Sequence, residues 1–172
     1  METLPSLFAV TQALGALIGA LFAVWGELAY VRAAQDDRID RAERLHLDAL
    51  ARGLKFGMTL LLLSSFGLIV VAYLRHETVQ PALTASYWVA IVLSLLVIGA
   101  TWSLSRGKIR FALGSATVFS AWWFLVYLML GRLPELSFGA AVALYVVATV
   151  VLYLLLRYVR LLLVPTPPRR VL

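Results

Sequence analysis

Apolar residues in this chain come in five long runs separated by short polar punctuation. The runs fall at Leu7–Val31, Gly53–Leu74, Leu83–Leu104, Ile109–Leu130 and Ser137–Tyr158. Each matches or exceeds the roughly 20 residues that a helix needs to cross a bilayer. No proline interrupts the interior of a run, and Pro5 suits the first turn of a helix, where a missing N–H costs nothing. The pattern predicts an all-α integral membrane bundle of five transmembrane helices. It forms a single domain over 1–164, followed by a Pro/Arg-rich tail, 165–172, that cannot continue a helix. The first run lacks a basic leader and is too long for a signal-peptide core, so it is expected to be a span.

Composition agrees. Of 172 residues, 62% are hydrophobic and 14% charged, against roughly 45–50% and about 25% in a soluble domain. That excludes a disordered chain, a nucleic-acid-binding domain and a soluble enzyme as first readings. Cysteine is absent, which removes disulfides, thiol redox chemistry and thiolate metal sites.

The net charge of +6 resolves into an asymmetry. Thirteen of the 15 basic residues flank one side of the five runs, and only Arg75 and Arg132 flank the other. The positive-inside rule then predicts an external N-terminus and a cytoplasmic C-terminus. The expected location is the cytoplasmic (inner) membrane of a bacterium, with anionic head groups of the lipid bilayer as the partners of the arginines and no role for nucleic acid. Tyr73, Tyr87, Trp88 and Tyr127 at one boundary, and Trp25, Tyr30, Trp102 and Tyr158 at the other, sit where amphipathic rings prefer to lie.

The one extended polar stretch is the hairpin 32–52. Asp40 followed three residues later by Glu43 resembles a capping box. It predicts a helix that starts near Arg41 and runs into the second span as an amphipathic cytoplasmic extension. Arg41, Arg44, Asp48, Arg52 and Lys55 recur at helical spacing and define a charged face suited to docking a partner.

The opposite face carries Glu43 and His46, the Glu-x-x-His spacing of carboxylate-bridged di-metal sites. If the hairpin turns near Asp37, Glu27 stands level with Leu47, and Glu27, Glu43 and His46 converge as metal ligands. Iron or manganese would be the metal, and a two-fold dimer would complete a binuclear site. Without that convergence no cofactor is expected. Haem is not supported, because His46 and His76 lie on opposite sides of the membrane.

Glu27 itself sits near hydrocarbon, where a carboxylate needs a partner. Arg157 lies at matching depth in the fifth span, and a Glu27–Arg157 ion pair is expected. Gly15-x-x-x-Gly19 and Gly139-x-x-x-Ala143 are spacings that let helices approach closely, either between copies or within one bundle. Arg52-Gly53 and Tyr73-Leu74 return 54 residues later as Arg106-Gly107 and Tyr127-Leu128, a faint sign of duplicated hairpins.

Three functions follow in order of preference. The first is a non-enzymatic accessory subunit, scaffold or homo-oligomer that docks through the hairpin. The second is a metal-binding or redox membrane protein using Glu27, Glu43 and His46. The third is a small-solute or proton-linked transporter using Glu27 and Gln12.

Overall fold

The computed structural model describes residues 3–36, 41–78 and 80–163, with side chains described for 3–30, 51–78 and 80–162. Five helices make up the bundle: α1 (Thr3–Asp36), α2 (Arg41–Leu74), α3 (Ala85–Ser105), α4 (Phe111–Met129) and α5 (Phe138–Leu163). No strand occurs among the described residues. Each helix contains a segment long and apolar enough to span a membrane: Thr3–Tyr30, Ala51–Leu74, Ala85–Ser105, Phe111–Met129 and Phe138–Leu162. The five expected spans are all present. α2 begins at Arg41 and enters its span without a break.

The neighbour order follows from where small residues lie. α1 and α2 form an antiparallel pair whose backbones touch. A Cβ at Gly15 would stand 2.8 Å from the Gly57 carbonyl oxygen, and one at Gly57 would stand 2.9 Å from the Gly19 amide nitrogen. Farther along, the ring of Phe22 fills the space over Gly53, and Phe8 fills the space over Gly67. Small residues on both helices permit this approach, which dispersion then stabilises over the length of the pair. The Gly15/Gly19 motif is therefore spent within the chain, against Gly57 of α2 and Trp122 of α4. A Cβ at Gly139 would meet nothing within 4 Å.

α4 is the hub. It packs against α1, α3 and α5, and about half of it is buried. Its Trp122 is 0% exposed and lies directly on Gly19, with Ala16 and Ala20 in the same core. α3 offers α4 one stripe, Val89, Ala90, Leu93, Ser94 and Val97. α5 is the least covered helix; Ala141 and Tyr145 are its buried residues, and Tyr145 edges onto Phe124 of α4 at 5.9 Å.

Three helices end in the same hydrogen-bonded device, in which the residue after the cap turns left-handed and two amides reach back to orphan carbonyls. After α3, Gly107 has φ 66° and the Lys108 amide donates to the Ser103 carbonyl at 2.9 Å. After α4, Gly131 has φ 62° and the Arg132 amide donates to Tyr127 at 3.0 Å. After α2 the same place is held by His76, at φ 52°, with the Glu77 amide donating to Ala72 at 3.1 Å.

Of the repeated dipeptides, the Arg-Gly pairs differ in place, since Gly53 lies inside α2 under Phe22 and Gly107 terminates α3, whereas Tyr73-Leu74 and Tyr127-Leu128 both lie in the last turn of a helix.

Candidate functional site

The spans hold one buried ion pair among the described residues, and it sits at the basic end of the bundle. Ala16, Ala20, Ala23, Glu27 and Tyr30 recur at spacings of 4, 3, 4 and 3, one stripe of α1. The stripe starts in the core as three buried alanines and ends polar, one turn before the end of the α1 span. Arg160 comes from the last turn of α5. Its Nη2 donates to Glu27 Oε2 at 2.6 Å and to Ser115 Oγ at 2.7 Å. Ser115 belongs to the first turns of α4. One guanidinium nitrogen thus joins α1, α4 and α5.

Two rings close the site. Tyr30 and Phe111 stack at 3.8 Å between centroids with planes 20° apart. Arg160 Cζ lies 5.2 Å from the Tyr30 ring and 5.5 Å from that of Phe111. The side chains of Arg160 and Glu27 are 13% and 12% exposed. Arg160 Nε is buried with no hydrogen-bond partner. The cluster is therefore shielded from water, where Coulomb attraction is strong and an unpaired charge is costly.

The partner of Glu27 is Arg160, not the expected Arg157. Residue counting matches Arg157 to the depth of Glu27, and Arg160 lies about one turn beyond it on α5. Rotation separates them. At 3.6 residues per turn, Arg160 lies roughly 60° around α5 from buried Tyr145, and Arg157 roughly 120°. Arg157 is accordingly exposed while Arg160 turns inward. Ser115 and the Tyr30–Phe111 stack were not legible as site members, since nothing in a sequence pairs the end of one span with the start of another three helices away.

The proposed metal ligands are only partly within view. Glu27 is described and engaged by Arg160. The side chains of Glu43 and His46 lie outside the described residues, as do those of Arg41, Arg44 and Asp48 of the charged face. Lys55 is exposed on α2, and so is Arg52. Among the described residues no three of His, Cys, Asp and Glu gather as a metal site.

Other polar groups of the spans bond within or between helices; Tyr145 Oη, for one, donates to the Thr117 carbonyl of α4 at 3.1 Å. Gln12 Nε2 donates to Ser65 Oγ at 2.6 Å across the α1–α2 interface, and Ser65 Oγ in turn donates to the Leu61 carbonyl oxygen at 2.7 Å. The buried hydroxyls of Ser94 and Ser120 donate to carbonyls four residues back on their own helices. Trp122 Nε1 has no acceptor.

Fold and site together define a five-helix integral membrane bundle locked at its basic end by a buried ion pair. No family model matches the chain, and neither a curated protein nor a solved structure is similar to it.

Proposed function

We propose that this protein is a non-enzymatic membrane subunit or scaffold that docks a partner, or a second copy of itself, through the α1–α2 hairpin. The observation that carries this reading is the projection of two continuous helices beyond the spans. α2 starts about ten residues before its apolar segment, and α1 continues six residues past its own. That corresponds to roughly 10–15 Å of helical hairpin beyond the apolar layer. It bears the densest charge in the chain, including Arg41, Arg44, Asp48, Arg52 and Lys55. Further support comes from the site. Glu27, Arg160 and Gln12 each bind a neighbouring helix of the same molecule. A transport pathway instead leaves such groups to a solute or proton. The basic end is taken as cytoplasmic, with the N-terminus outside, in a bacterial inner membrane; the 13-to-2 division of basic residues supports this.

The chain has no cysteine, so one introduced at Asp48 gives a unique crosslinking point. In native membranes it is expected to yield one discrete adduct, which is lost when Arg41 and Arg44 are both changed to Glu. Absence of any adduct, together with liposome flux that Glu27→Gln abolishes without loss of folding, would replace this reading with transport. Stoichiometric metal that His46→Ala removes would replace it with the metal-binding one.

A further inference from the structure

The connection between α3 and α4 gathers two cations onto one ring at the basic end. Gly107 turns left-handed, and the amides of Gly107 and Lys108 return to the Leu104 and Ser103 carbonyls at 3.0 and 2.9 Å. This turn folds the flanking side chains back over the last helical turn of α3. Arg106 Cζ lies 4.3 Å from the Trp102 ring centroid, and Lys108 Nζ lies 4.6 Å from it. Trp102 is 48% exposed, three residues from the end of its span.

Each cation is attracted by the ring's quadrupole. The two also repel one another, and an anion between or beside them relieves that repulsion. The chain has no Asp or Glu between Thr78 and Pro134 to supply one. Among the described carboxylates, Glu27 is held by Arg160, while Glu77 and Glu135 lie at the opposite end of the bundle. At the depth where a span ends, the abundant anion is the phosphate of a lipid. Its geometry fits: an arginine fork matches two phosphate oxygens, a lysine adds a point charge, and an indole prefers the head-group layer.

We propose that Trp102, Arg106 and Lys108 form a binding site for the phosphodiester group of an anionic phospholipid. The turn at Gly107 presets both cations, so the lipid is bound at a fixed place on the bundle rather than attracted diffusely. This site is independent of the docking hairpin.

The test uses the full chain in phosphatidylcholine discs containing an equal mole fraction of brominated phosphatidylglycerol or brominated phosphatidylcholine. The quenching of Trp102 is the part of the signal that Trp102→Phe removes. The anionic lipid is expected to quench Trp102 about threefold or more above the zwitterionic one. Arg106→Gln with Lys108→Gln should bring that ratio close to unity, each single change should lower it partway, and Arg132→Gln at the opposite end should leave it unchanged. Equal quenching by the two lipids in the native chain would overturn the proposal, as would an unchanged ratio in the double variant. Relief of quenching by inorganic phosphate at constant ionic strength would also overturn it, by assigning the site to a free anion instead of a head group.

Discussion

At the scale of single residues, the Glu27–Arg160 pair is where the chain is most sensitive. Both groups are nearly dry, so removing one strands the other, whereas removing both strands neither. Glu27→Gln or Arg160→Met should destabilise the bundle by about 3–5 kcal/mol, and the two together by clearly less than their sum. Arg157→Ala, on the exposed side of α5, should cost under about 1 kcal/mol. Denaturant unfolding in micelles measures all four, and equal losses for Arg157→Ala and Arg160→Met would contradict this assignment. His76 offers the opposite case. It occupies a left-handed position after α2 where the two sister helix ends use glycine. The strain of that conformation is about 1–2 kcal/mol for a residue with a Cβ. The extra backbone freedom that glycine loses on folding offsets about 0.5–1 kcal/mol of it. His76→Gly should therefore stabilise by about 0.5–1 kcal/mol in the same assay.

At the scale of elements, the bundle depends on close approach at Gly19 and Gly57 and is indifferent at Gly139. A methyl at Gly57 would strike the backbone of α1, and one at Gly19 would strike the buried ring of Trp122. Neither neighbour can move without opening the core. Gly19→Ala and Gly57→Ala should each cost about 1–3 kcal/mol. Gly139→Ala, which meets open space, should leave the unfolding midpoint within error. The sequence reading set the two small-residue motifs side by side as equivalent. Spacing alone identifies a surface that permits approach, and only packing shows whether another helix takes it.

The molecule as a whole is built around α4, with the α1–α2 pair on one side and α3 and α5 on others. Because α5 packs on little else, the contact of Arg160 with α1 and α4 ties an otherwise peripheral helix to the pair. The charge asymmetry predicts how the bundle sits in its membrane. A cysteine placed at Thr78 should react with a membrane-impermeant maleimide in intact cells, and one placed at Lys108 only after permeabilisation. The reverse pattern would invert the topology and move the hairpin to the outer face.

The number, length and type of the elements were written in the sequence. A segment in lipid must satisfy its backbone hydrogen bonds within itself, so twenty apolar residues specify a helix without reference to any neighbour. The start of α2 at Arg41 was legible for a similarly local reason, the turn and capping pattern just before it. Depth was legible to about one turn, which is why Glu27 was seen to need a basic partner from α5. Tertiary structure decided everything that depends on rotation and adjacency: Arg160 rather than Arg157, Ser115 as the second acceptor, the Tyr30–Phe111 stack over the guanidinium, Gly19 beneath Trp122. Those choices turn on which face each helix presents and which helices are neighbours. In a chain apolar on every side, the pattern of hydrophobic positions is nearly silent about both.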